Sequence, residues 1–311
     1  MGRYLEGKVE VVTGGGRGIG RAIALAAAAQ GARVVVADYG GALESRQAGS
    51  AGPAEQVVAE IKAAGGEATA CAEDVSTMAG GQRIVQTAVD QFGRIDGIVC
   101  CAGIMVQKYL WEMSESDWDD VIAVHLKGHF SCAQAASRAM MEQGSGRLVF
   151  ISSGSYAGIA SQPSYSAAKA GILGFTWSCA SALELYGITT NCVVPSAATR
   201  MSDKTLGDYI PLSDQAGETV SSDHAAGTYR DPATIAPVVL YLLSDAAADV
   251  NGQVFRAVGY QLDRLGDLTY DRTISSEGPW DLDSLFERIP KELGPDLKRD
   301  PLPWPPPGRP K

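Results

Sequence analysis

An α/β fold, with a single doubly wound domain on a seven-stranded parallel sheet and a C-terminal tail, follows from three features of this 311-residue sequence. Short apolar runs rich in β-branched residues recur along the chain. Segments with apolar residues at helical spacing separate most of them, and glycines gather where one kind gives way to the other. The runs are VEVVT (9–13), RVVVAD (33–38), EATACAE (67–73), GIVCCAG (97–103), GRLVFISS (146–153), ITTNCVV (188–194) and GQVFRAV (252–258). PAEQVVAEIKAAGG shows the helical kind. Ala54, Val57, Val58 and Ile61 share a face, Pro53 sits at a favoured start and Gly65–Gly66 stop the helix. Such alternation places helices on both faces of a parallel sheet.

The predicted domain covers residues 1–263. Inside it, 199–230 mixes polar residues and glycines without a period, as a substrate lid does, with Met201, Leu206, Tyr209 and Ile210 as apolar lining. Residues 264–311 form an extension with one amphipathic helix in DLDSLFERIPKEL. The LPWPPPGRP that follows suits neither helix nor strand. A surface-hugging tail is the preferred reading, a disordered end the alternative.

With 45% apolar residues the chain can bury a full core, and its net charge of −10 would repel a phosphate backbone, so no nucleic-acid partner is expected. The six cysteines show no CxxC pair, and Cys71, Cys100, Cys101 and Cys192 fall in strand-like runs. They read as reduced thiols of a cytoplasmic protein, with no metal. MGRYLEGKVE lacks the apolar core of a leader, and AIALAAAA falls short of the ~20 residues of a membrane span, so no membrane association is expected.

TGGGRGIG (13–20) lies between the first strand and the first helix. Gly14 suits a tight turn, while Gly18 and Gly20, on either side of Ile19, let the chain approach a pyrophosphate and the helix pack on the sheet. The helix start offers free N–H groups and partial positive charge to phosphates. Asp38 ends the second strand, where a carboxylate accepts hydrogen bonds from ribose hydroxyls and repels a 2′-phosphate. NAD is therefore expected over NADP, with Arg17 as the counter-argument. Asp74-Val75 after the third strand and CCAG (100–103) after the fourth fall at the same edge of the sheet.

In SSGSYAGIASQPSYSAAK (152–169), Lys169 follows Tyr165 by four residues, one helical turn. A phenol with pKa near ~10 is a poor base at neutral pH. A cation ~4 Å away at an effective dielectric of ~20 supplies about 4 kcal/mol, roughly three pKa units. Tyr165 then acts as general acid/base, and Lys169 also reaches the nicotinamide ribose. A serine at the end of the fifth strand can polarise the substrate oxygen. Strand alternation allows only one of Ser152 and Ser153 to do so.

Together TGGGRGIG, Asp74-Val75, Ala102-Gly103, ISS (151–153), YSAAK (165–169) and Asn191 with Pro195 resemble the short-chain dehydrogenase/reductase family. The resemblance implies a Rossmann-type fold, NAD(P), and a homotetramer or homodimer built partly through helices carrying 115–141 and 164–186. It implies Tyr165 as acid/base, Lys169 as cofactor anchor and a polarising serine. The family's ISS register selects Ser153, whereas its usual serine-to-tyrosine spacing selects Ser152; the register is preferred. The chain departs from the family pattern at Cys100-Cys101, where asparagines are usual, which leaves backbone contacts from Cys101, Ala102 and Gly103. Ser196 replaces a glycine, and Thr199 falls near the nicotinamide carboxamide. His125 occupies the family's catalytic asparagine position, as in bacterial homologues of the (3R)-hydroxyacyl-CoA dehydrogenase domain of multifunctional enzymes. It either passes protons from Lys169 to solvent or holds a backbone kink. His125 and His129 have metal-like spacing but lack a third ligand.

The expected activity is hydride transfer between NAD and a secondary alcohol or ketone, a medium-sized apolar small molecule. A 3-hydroxyacyl-CoA dehydrogenase is the alternative; Arg200, Lys204 and Arg230 are the lid's few cations. An NAD-binding sensor or scaffold without turnover is the alternative outside enzymes.

Overall fold

The computed structural model describes residues 3–44, 49–206 and 219–293, the side chains of 205 and 206 excepted. Strands and helices alternate: β1 (Val9–Thr13), α1 (Gly18–Ala29), β2 (Arg33–Ala37), α2 (Gly52–Ala63), β3 (Glu67–Cys71), α3 (Met78–Phe92), β4 (Gly97–Cys100), α4 (Glu115–Ile122), α5 (Gly128–Gln143), β5 (Gly146–Ile151), α6 (Pro163–Leu183), β6 (Ile188–Ser196), α7 (Arg200–Leu206), α8 (Ala236–Leu243), β7 (Val254–Val258), β8 (Gln261–Arg264) and α9 (Leu282–Arg288). The sheet order is β3-β2-β1-β4-β5-β6-β7-β8. This is the expected Rossmann-type fold.

Each residue of β1, β4 and β5 is buried, as strands covered on both faces must be. One face packs Val11, Ile98 and Phe150 with Ile84 of α3, Met140 of α5 and Ile172 of α6. The other packs Val12, Val99 and Val149 with Ile23 of α1, Val57 of α2 and Leu242 of α8. After β3 the chain crosses back to place β4 on the far side of β1. That reversal opens a crevice at the carboxyl ends of β1 and β4.

The expected seven parallel strands are present, and an eighth corrects the count. β8 folds back antiparallel on β7 through Gly259, whose φ of +55° suits a tight turn. The expected boundary at 263 falls inside β8. The N–H of Leu265 still donates to the Val254 carbonyl (2.9 Å), and its side chain packs on the core.

Beyond it, α9 forms within the expected helical segment, while Leu268, Tyr270 and Phe286 are exposed. The contacts of Arg272 with the Leu293 carbonyl and of Arg288 with the Ser275 carbonyl fold this segment on itself. LPWPPPGRP lies outside the described residues. Between α4 and α5, residues Ala123–Lys127 form a π-helical turn, a device found often at functional sites, and this one turns His125 inward.

Candidate active site

The β1–α1 turn is pressed against the chain leaving β4. Gly14 has φ +66°, and a Cβ there would stand 2.8 Å from the Ala102 Cα. A Cβ on Gly20 would stand 2.1 Å from the Gly14 carbonyl oxygen, so neither position accepts a side chain. The residue before α1, Arg17, makes no side-chain bond to the first helical turn, whose N–H groups are thus available to an anion. Thr13 braces the arrangement. Its hydroxyl accepts from the N–H groups of Cys101 (3.0 Å) and Ala102 (3.2 Å). The sequence reading missed this residue; its signal was its place as the last residue of the strand before the glycines.

Asp38 follows β2. One carboxylate oxygen accepts from the Gly16 N–H (2.9 Å), the other from the Gly40 N–H (2.8 Å). Those bonds aim the carboxylate and leave it acceptor capacity for a ligand. Burial, and next the neighbouring Arg17 charge, lower the Arg200 pKa, while Asp38 opposes them. Two guanidiniums and one carboxylate thus face the same end of the crevice. Asp74 accepts the Ser76 N–H (2.8 Å) and holds the loop that carries Val75. Asn191 clamps β6 to the approach to β7 through the Val250 carbonyl (2.7 Å) and the Gln253 N–H (2.9 Å).

The two serines after β5 separate as alternation requires. The Ser152 hydroxyl donates to the Lys169 carbonyl (2.9 Å) and is buried against α6. Ser153 faces Tyr165 instead, near enough to favour the ionised phenol, and its oxygen is held by the Ser155 N–H (3.2 Å). The Tyr165 hydroxyl also reaches the Met201 sulfur (3.8 Å), which brings one expected lid residue into the site. Leu206, Tyr209 and Ile210 lie outside the described side chains. Lys169 stands 5.4 Å from the Tyr165 ring centre and donates to the Ile151 carbonyl (2.8 Å).

Here the structure corrects the expected phenol acidity. Burial pushes the Tyr165 pKa up to about 12, only partly countered by the nearby Ser153 hydroxyl. The same burial lowers Lys169 to about 8. Desolvation outweighs the attraction of a cation that a backbone carbonyl already engages. At pH 7 the phenol is protonated and the lysine mostly charged.

His125 is buried, its ring edge-on to Tyr165 at 4.9 Å. Its Nε2 lies 2.7 Å from the Ile104 carbonyl and 3.1 Å from the Ile104 N–H, tying the π turn to the loop after β4. Burial, and after it the Lys169 charge, hold its pKa well below the usual range, and the same causes bring His129 down to about 3. Both imidazoles are neutral. Among the described residues no group of three His, Cys, Asp or Glu is placed to hold a metal ion, and all six cysteines are free.

One cleft of about 1450 Å³ unites these parts. Gly14, Arg17, Gly18, Ile19, Gly20, Asp38, Asp74, Val75, Cys101, Ala102, Gly103, His125, Ser153, Tyr165, Lys169, Pro195 and Thr199 all line it. So do Ser155 and Gln162, which sequence reasoning passed over. Two lid cations are engaged, Lys204 with Glu44 and Arg230 with the Ser196 hydroxyl (3.0 Å), while Arg200 faces Arg17 and Asp38.

A crevice built for a dinucleotide that opens onto a phenol, a hydroxyl and an ammonium defines the class of nucleotide-dependent oxidoreductases. The family described as short chain dehydrogenase matches residues 8–208, and the chain belongs to it. It is 39% identical over 293 residues to the hydroxyacyl-CoA dehydrogenase ChsB1 of Mycobacterium tuberculosis, covering 89% of this chain and 86% of that one. It is 39% identical over 259 residues to the peroxisomal multifunctional enzyme type 2 of Drosophila melanogaster. That alignment covers 83% of this chain but only 40% of the longer protein. The crystal structure of a short chain dehydrogenase from Mycobacterium avium superposes with a TM-score of 0.80 at 35% identity, covering 96% of this chain and 98% of that one. No helix among the described residues is long and apolar enough to cross a membrane.

Proposed function

We propose that this protein is an NAD-dependent dehydrogenase/reductase acting at C3 of an acyl thioester, interconverting a 3-hydroxyacyl and a 3-oxoacyl group. The convergence of Ser153, Tyr165 and Lys169 at the mouth of the dinucleotide crevice carries the reading. The uncapped start of α1, fixed in place by the close backbone packing at Gly14 and Gly20, fits a pyrophosphate. Asp38 would take the adenosine ribose, Lys169 the nicotinamide ribose, and Pro195 and Thr199 the nicotinamide. NAD, when bound, accepts or supplies the hydride.

The rest is the work of the chain's own side chains. The Ser153 hydroxyl donates to the substrate oxygen and polarises it. Tyr165, protonated at pH 7, gives its proton as that oxygen becomes an alcohol. The Lys169 ammonium stabilises the phenolate left behind. His125 positions the loop at Ile104 above the phenol.

The thioester part of the reading rests on similarity to hydroxyacyl-CoA dehydrogenase ChsB1. Since two of the three lid cations are engaged, the reading centres recognition on the acyl part and not on a nucleotide handle. Ile104, Met105, Ile159 and Met201 give the cleft an apolar wall, which favours a second reading: an isolated apolar secondary alcohol. The proposal includes a cytoplasmic location and a homodimer or homotetramer through α4–α6, where Trp118 and Phe130 are exposed.

The test follows NADH absorbance with a medium-chain 3-oxoacyl-CoA, its N-acetylcysteamine thioester and a methyl ketone of equal chain length. Turnover of both thioesters above the ketone supports the proposal. Preference for the ketone selects the second reading. No turnover, with NAD still bound, leaves a sensor or scaffold.

A further inference from the structure

Gln162 occupies the position before α6, where Ser, Thr, Asp or Asn commonly caps the first turn, yet its side chain makes no capping bond. Pro163 follows it and needs no partner for a backbone N–H. The carboxamide instead turns into the wall of the cleft and is almost wholly buried, 2% exposed. Its Oε1 accepts from the Ser155 hydroxyl at 3.0 Å, and the Ser155 hydroxyl accepts from Ser153 at 3.3 Å. A relay of two hydrogen bonds thus runs from the serine that faces Tyr165 to an amide one helical turn before Tyr165. Burying a carboxamide in a largely apolar wall is costly unless both of its ends find partners. The oxygen end has one. The nitrogen end, with two donors, makes no hydrogen bond among the described residues and is not one of the fully buried polar atoms, so it meets the cleft.

We infer that Gln162 is a specificity-determining residue whose Nε2 donates to a second oxygen of the substrate, the carbonyl one carbon removed from the reacting carbinol carbon. This rests on the hydroxyacyl/oxoacyl reading above and deepens it. When the reacting oxygen sits at Ser153 and Tyr165, the relay fixes where the next hydrogen-bond donor stands. A 3-oxoacyl thioester carries an acceptor at C1, across one methylene from the reacting C3 carbonyl, whereas a simple ketone offers only methylene there. A buried amide that lacks its partner disfavours the simple ketone, so the residue selects by the oxygen it expects.

Two variants test this. Gln162→Leu removes both ends of the amide. Gln162→Glu keeps an acceptor for Ser155 and replaces the donors by a second acceptor. The measured quantity is the ratio of kcat/KM for a medium-chain 3-oxoacyl thioester to that for the methyl ketone of equal length. Thermal melting and NADH fluorescence titration establish folding and cofactor binding in each variant. Calorimetry of the 3-hydroxyacyl thioester provides a readout independent of turnover. The expected result is a ratio lowered about 30-fold in both variants, most of it in KM, with product binding weakened to match. A ratio within about threefold of wild type in Gln162→Glu overturns the inference, because the amide then serves only to position Ser155. Equal losses on both substrates overturn it for the same reason. Failure of the wild-type protein to turn over the thioester would instead remove the substrate reading itself, a result visible before any variant is made.

Discussion

Replacing Asp38 by alanine should convert a cofactor preference into near indifference. Its carboxylate is aimed by the Gly16 and Gly40 N–H groups at 2.9 and 2.8 Å, at the end of the crevice where an adenosine ribose would sit. A 2′-phosphate charge about 4 Å from that carboxylate, at an effective dielectric of about 20, meets a repulsion of about 4 kcal/mol. Arg17 and Arg200 face the same place and offset part of it. Solvent and salt in the open crevice screen about half of the Asp38 repulsion, so about 2 kcal/mol of it is felt, a factor of roughly 30. Asp38→Ala removes the repulsion and leaves both guanidiniums. The ratio of NADP to NAD dissociation constants should therefore fall about 30-fold from the lost repulsion, and further through loss of the ribose hydrogen bonds to NAD. Asp38→Asn removes the same charge while keeping one acceptor for the loop, and should show most of the effect. Calorimetric titration of both cofactors at moderate salt measures it. A ratio unmoved in two folded variants would refute the reasoning.

Tyr165→Phe should lower kcat by about 100-fold or more while leaving NADH affinity within about threefold, as stopped-flow turnover and fluorescence titration would show. Gly20→Ala should abolish measurable NAD binding by calorimetry, because the new methyl group would strike the Gly14 carbonyl and displace the loop. Thr13→Val should cost about 1–3 kcal/mol in urea unfolding, since the Cys101 and Ala102 N–H groups lose their acceptor. Glu10 is fully buried in β1 with neither carboxylate oxygen bonded, and burial, then Asp96, raise its pKa well above normal against Lys8 and Arg147. Its folded pKa exceeds the unfolded value of ~4.3, so its contribution is complete below that pH and is lost as pH rises toward the folded pKa. Glu10→Gln should gain on wild type in melting temperature from pH 5 to pH 8, and a constant difference across that range would contradict this assignment.

The fold was legible wherever burial dictates residue type. Central parallel strands have both faces covered, and VEVVT and GRLVFI announce themselves by near-continuous apolarity. β8 escaped because QLDR is four residues long, partly exposed and half charged, leaving Gly259 as its only clear signal. The π turn escaped because one extra residue in a helix leaves no compositional trace. Alternation narrowed the polarising serine to two positions, and only the packing of α6 showed which one Lys169 engages. The phenol acidity was misjudged because a pairwise charge argument omits desolvation, which no spacing reveals. Gln162 was passed over because the direction of a side chain at a helix start depends on the wall that receives it.

The returning strand decides where this enzyme can be trimmed. A chain stopped just after Val258 would strip the cover from β7 and leave its backbone edge unzipped, a ready template for clumping with other chains. A chain stopped just past Leu265 would keep the ladder closed to its last bond, to Val254, while shedding the greasy Leu268, Tyr270 and Phe286. The practical end of the folded unit is thus set by a hairpin and not by the fading of the apolar pattern.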